Sequence, residues 1–278
     1  LSFSGGGNTA NTELYNGTNW TEVNNLNTGR TNSSGAGADN TSAICAAGET
    51  PSVTGATEIW NGTNWTEVND LNTARDRATT VGLETSALCF GGQPGATINE
   101  EWNGTNWTET ADLSNNTKFA SGAGTSSDAL SFGGLLPPGA SSAFTEEWSK
   151  TTQIGAWSTG GALNTGRQQL AGAGTQTAAI AFGGAPGEKN ETELYDGTSW
   201  TEVNDLNTAR FELGAAGTQT AAIAFGGAPG EKNETELYDG TSWTEVNNLN
   251  TARFELGAAG TQTAAVGFGG ELPGSNVT

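Results

Sequence analysis

Six basic side chains recur along this 278-residue sequence: Arg30, Arg75, Lys118, Arg167, Arg210 and Arg253. Each closes a short Asn/Thr-rich segment, as in NDLNTAR over 204–210. A ring of such groups suits the capture of carboxylates, because guanidinium pairs with them in a fork of two hydrogen bonds. Lys189 and Lys232, and also Arg77, fall in adjoining loops and would add charge to the same surface. On this reading Arg30, Arg75, Lys118, Arg167, Arg210, Arg253, Lys189 and Lys232 form a candidate ring for an acidic glycan or peptide. The competing reading is structural: each basic group ties its own segment to neighbouring carboxylates or carbonyls, and strict recurrence favours it.

Other chemistry is sparse. The chain contains no His, which removes the commonest general base and transition-metal ligand. Adjacent carboxylates such as Glu100-Glu101 and Glu146-Glu147 lie on what read as strands. Strand neighbours point to opposite faces, so they would not converge on one bond. Gly-Gly pairs end apolar runs and do not open a helix, so they do not form a phosphate loop. Cys45 and Cys89 hold equivalent repeat positions, which predicts two separate buried thiols. No catalytic set, metal site or cofactor is expected.

With 10 Lys+Arg against 30 Asp+Glu the formal net charge is −20, which argues against a nucleic-acid or anionic-membrane partner. No apolar run approaches the ~18 residues of a membrane helix. The lack of Met and of a signal segment reads as a processed chain or an excerpt of something longer. Asn-X-Ser/Thr triplets are numerous, as expected by chance from this composition.

These groups sit in a repeat. Trp20, Trp65, Trp107, Trp157, Trp200 and Trp243 mark six copies, and residues 173–222 match 216–265 at all but one position, Asp205 against Asn248. A period of this size signals a repeat architecture, here one domain over 1–278. Within a copy, four short apolar runs alternate with Gly, Pro, Asn and Asp, which predicts four antiparallel strands, A to D. Asn-Gly or Asp-Gly between C and D should supply the positive φ of a tight hairpin. Neither face of these strands is polar, so each small sheet needs cover on both sides, as blades around an axis provide. The aromatics ending strand C and the Trp beginning strand D are expected between blades rather than as platforms for sugars.

The order Gly226-Gly227, Tyr238, Trp243, Arg253 resembles a kelch repeat, and the resemblance covers the whole chain. The fourth copy is looser, with Lys150 in its turn, and the second has Ala46-Ala47-Gly48 in place of Phe-Gly-Gly. It implies an all-β, kelch-like propeller of six four-stranded blades, with seven as the alternative. The copper site of galactose oxidase, a kelch propeller, does not carry over to a chain without His. In style the Asn/Thr-rich copies also resemble repeat proteins of marine bacteriophages. Together these imply a non-catalytic structural or binding module of a virus particle, such as a tail fibre or decoration protein, located on the virion or outside the cell. The alternative is a secreted or cell-surface carbohydrate-binding propeller. Partners would be subunits of a larger assembly or a surface glycan, with no membrane insertion. The B–C and D–A loops would form the interaction face, because the B–C loops vary most.

Ring closure is expected through pairing of the N- and C-terminal strands, with strand A at 254–261 completing blade one beside residues 1–7. The run 266–278 repeats the register of 1–12, so one copy would pair outside the ring, with a second subunit, or the array would continue.

Overall fold

The computed structural model describes residues 8–151 and 154–272. All regular structure among them is β-strand, arranged as six four-stranded antiparallel sheets. Blade 6 is representative: A is Gly214–Thr218, B is Ala221–Phe225, C is Thr235–Tyr238 and D is Trp243–Val246. Blades 2, 3 and 5 repeat this over 34–68, 79–110 and 171–203. Blade 4 uses Ser121–Gly124, Asp128–Phe132, Thr145–Thr151 and Ile154–Thr159, and its B–C loop carries a small hairpin of Leu135–Leu136 with Ala140–Ser141. The A strands touch one another in a closed cycle and wall a central channel, so the blades form a propeller.

Blade 1 closes the ring with chain from both ends. Gly257–Thr261 and Ala264–Phe268 supply A and B, while Thr12–Tyr15 and Trp20–Glu22 supply C and D. This corrects the expected closure. Strand A pairs with Ala264–Phe268, and Phe268 in turn stands opposite Thr12. The second copy of strand B therefore fills the slot rather than being surplus, and residues 1–7 lie outside the described residues.

The packing explains the repeat. Glycines in strand A admit a Phe from the blade before: a Cβ at Gly35 would stand 2.2 Å from Cζ of Phe268, and one at Gly172 would stand 2.4 Å from Cζ of Phe132. The same Phe rings meet the strand-D Trp edge-on, with centroids 4.9 Å apart for Phe268–Trp65 and Phe132–Trp200. Blade 2, with Ala46-Ala47 at this place, offers Trp107 no such ring. Five of the six strand-D Trp also donate the indole N–H to a strand-C Thr of the preceding blade, as Trp200 Nε1 does to Thr145 Oγ1 at 3.0 Å. Trp20, Trp65, Trp107 and Trp243 repeat the contact at 3.0–3.1 Å. The aromatics are therefore blade-to-blade core: Trp200 and Trp243 are each 5 % exposed.

Among the described residues of the C–D turns only Gly takes positive φ, 90° at Gly197. Asp196 contributes differently from expectation: its Oδ1 accepts the N–H groups of Thr198 and Ser199 at 2.9 and 2.8 Å, an Asx turn. Cys45 and Cys89 are free and fully buried, and burial pushes both thiols up.

Candidate functional site

The segment leading from strand D into the next strand A decides what reaches the loop face. Its Leu is buried, and its Asn and Thr backbone and side-chain N–H groups turn to a buried strand-C Glu of the following blade. Glu236 thus accepts Asn207 N at 2.8 Å, Asn207 Nδ2 at 2.9 Å and Thr208 N at 3.3 Å. The Arg four residues after the Leu completes the arrangement. Arg30, Arg75, Arg167, Arg210 and Arg253 are all 0 % exposed. They contact Glu58, Glu100, Glu193, Glu236 and Glu13 at 2.5, 3.1, 2.7, 3.0 and 3.2 Å. Arg253 differs in that Glu13 Oε1 accepts no aligned hydrogen bond from it. The guanidiniums also donate to loop carbonyls, such as Arg75 Nη1 to Ile98 O at 2.6 Å. Those carbonyls belong to B–C loops, so the arginines do lie on the side of the ring that carries these loops.

The proposed capture ring is therefore corrected at five positions. A group with no solvent exposure, held by a buried carboxylate and loop carbonyls, cannot meet a ligand from solution. Burial lowers the pKa of Arg210 and Arg253, against the raising effect of Glu236 and Glu13 respectively.

Lys118 needs a different correction. Counting four residues from Leu113 gives Thr117, which is 5 % exposed and holds the place of the arginines. Lys118 is one residue further on, at the position that bridges the B–C loop: Lys118 pairs with Leu135 as Gln168 does with Ala185 and Phe211 with Ala228. Blade 4 thus lacks the internal cation. Its Glu146 is satisfied by Ser114 N at 2.8 Å, Asn115 N at 2.9 Å and Asn115 Nδ2 at 2.7 Å. Lys118 is half-buried, and its Nζ donates to Gln93 Oε1 at 3.1 Å. Lys189 is held by Glu191 at 3.1 Å, and Lys232 is half-buried in the same loop of blade 6.

Sequence reasoning missed a second ring. Two residues after each framework position stand Asn32, Arg77, Phe119, Gln169, Glu212 and Glu255, with φ between 52° and 57°. The N–H of each donates to the carbonyl of its counterpart in the preceding blade at 2.9–3.4 Å, and Asn32 to Glu255 O closes the cycle. These residues form one mouth of the channel around a cavity of about 120 Å³. Their side chains vary where the backbone is constant. Arg77 lies over the Phe119 ring at 4.9 Å and pairs with Asp76. Asn32 Nδ2 donates to Glu255 Oε2 at 3.0 Å, and Gln169 donates to Glu212. Burial first, and then the neighbouring Glu212, push the Glu255 carboxyl up to about 8. Burial also raises Glu212, against the hydrogen bond from Gln169. The signal in the sequence was a variable position at fixed distance from constant neighbours.

The remaining feature of this face is a cavity of about 340 Å³ between the B–C loops of blades 3 and 4, with Gln93, Asn116 and Lys118 on its polar side and Leu136, Pro137 and Pro138 on its apolar side. On the opposite side of the ring Glu101 binds Lys150, while Glu100 is spent on Arg75, so those adjacent carboxylates serve different partners. Among the described residues no group of three His, Cys, Asp or Glu could hold a metal ion, and no helix is long and apolar enough to cross a membrane.

No family model matches the chain, and no curated protein matches it. Among solved structures, the one titled "Structure of YjhT" is similar with a TM-score of 0.70 over 89 % of this chain and 93 % of that one. At 16 % identity the likeness extends to the propeller fold alone.

Proposed function

We propose that this chain is a non-catalytic, kelch-type binding propeller that serves as a structural component of a virus particle, such as a tail fibre or decoration protein, and engages its partner through the B–C and D–A loops. One observation carries the reading. Within two residues of the chain, the repeat keeps Arg in five of six copies and buries it, then changes to Asn, Arg, Phe, Gln, Glu and Glu at the channel mouth. A rigid ring that holds its framework constant while varying one face is suited to binding rather than to a chemistry requiring fixed groups. The acidic, Asn/Thr-rich copies support a place outside the cell or on the virion, among other subunits or further copies of itself. A surface glycan is the alternative partner. It would have to be met by loop side chains, since the framework arginines and the strand-C aromatics are buried.

Mass spectrometry of density-purified particles from a culture expressing the chain tests this. The chain should co-sediment with the particle's other proteins. Recovery solely from the soluble fraction, together with saturable binding on a glycan array, would replace the particle reading with the glycan one.

A further inference from the structure

We infer that the cavity between the third and fourth B–C loops binds a small organic carboxylate with an apolar body, held at its acid end by Lys118. The inference rests on the loop face being the interaction face, and it names a ligand for one part of that face.

The argument starts from charge. The chain has 10 basic residues against 30 acidic ones. Among the described residues, eight of the ten are in ion pairs: Arg30, Arg75, Arg77, Lys150, Arg167, Lys189, Arg210 and Arg253. Of the two that remain, Lys118 lines a cavity. Its ammonium is held by the neutral Gln93 at 3.1 Å and keeps donors to spare. No acidic residue lines that cavity. Asp76, whose backbone bridges Gln93, is already paired with Arg77. In a strongly acidic protein this is a local site of the opposite sign.

The sequence builds this place once. The bridging position is Thr31, Asp76, Gln168, Phe211 and Phe254 in the other blades, and Lys in this one alone. The B–C loop of blade 4 is also the one that folds into a hairpin, and Lys118 is clamped to its first strand by Leu135 N to Lys118 O at 2.7 Å and Lys118 N to Leu135 O at 3.3 Å. Leu136, Pro137 and Pro138 line the same cavity with apolar groups. Its volume of about 340 Å³ is within the range of small-molecule sites, roughly 300–1,000 Å³. An apolar body against Leu and Pro with a carboxylate on Lys118 satisfies both halves, whereas a cation leaves Lys118 unmatched and a fully polar anion leaves the Leu and Pro groups unmatched.

The test uses 3-phenylpropionate and its neutral amide as probes, titrated against the whole chain and followed by ligand-observed NMR, with Lys118→Gln, Lys118→Arg and Lys232→Gln as variants. The acid should bind saturably in the millimolar range or tighter, at least about tenfold better than the amide, as a charge-assisted hydrogen bond implies. Lys118→Gln should abolish that preference while keeping the parent's thermal transition, and Lys118→Arg and Lys232→Gln should retain it. Absence of saturable binding, equal binding of acid and amide, or a preference untouched by Lys118→Gln would overturn the inference. None of these results bears on particle association, so the two proposals fail separately.

Discussion

Arg210 in the link to the sixth blade and Thr117 in the link to the fourth hold the same place in the repeat, and their surroundings differ throughout. In blade 6 the framework cation and indole both have partners: Arg210 with Glu236, and the indole of Trp243 with Thr192 of blade 5. In blade 4 the cation is missing, and the strand-C position of the preceding blade that is Thr elsewhere is Asn99; neither Trp157 Nε1 nor Asn99 Oδ1 has a hydrogen-bond partner. The same blade carries the long B–C loop, the hairpin and the adjacent cavity. Regularity here is the mark of side chains turned inward, and departure from it marks the part of the ring open to other chemistry.

The largest effect that sharpens this contrast is in the regular blades. Trp200→Ala should destabilise by about 3–5 kcal/mol in chemical denaturation, the usual loss for a large buried aromatic. Trp200→Phe strands the Thr145 hydroxyl, whereas Trp157→Phe removes an indole N–H that has no partner. The first should therefore cost about 1–2 kcal/mol more than the second in the same assay. Equal costs would mean that the irregular blade is as tightly specified as the others.

Thr117→Arg would give blade 4 the cation it lacks, opposite Glu146, which is 4 % exposed. Melting should report a gain of about 1 kcal/mol, since a charged hydrogen bond is partly offset by desolvation. A loss would show that the loop has repacked around Thr117.

A separate test is the dependence on pH at the channel mouth. Glu255 ionises near 4.5 in an unfolded chain and at about 8 in the folded one. Between those values the folded state keeps a proton that the unfolded state has released, so stability falls as pH rises through the window and the loss is complete above it. Glu255→Gln should flatten that decline and melt higher than the parent on the alkaline side. Parallel curves for parent and variant would show that Glu255 is already ionised in the ring.

The six blades, their strand order and the burial of Trp200 and Tyr238 were legible because strand periodicity and turn residues recur at a fixed interval. The register of Lys118 was not, because a basic residue one position away imitates the framework; Leu113, four residues before Thr117, held the information needed. The ring of Asn32 to Glu255 was hidden because, Asn32 apart, positive φ falls on residues that do not favour it, imposed by hydrogen bonds between blades that no single repeat reveals. Closure was ambiguous for the opposite reason: 1–12 and 266–278 have the same register, and local sequence does not distinguish two equivalent strands for one slot.

The central claim is that the recurring arginines are internal framework while Lys118 is free for a ligand. Chemical denaturation of Arg210→Ala and Lys118→Ala side by side tests it most directly. Removing Arg210 leaves Glu236 buried without its cation and should cost about 3–5 kcal/mol, while Lys118→Ala should stay within about 0.5 kcal/mol of the parent. An Arg210→Ala variant as stable as the parent, or a Lys118→Ala variant that loses as much, would contradict the account.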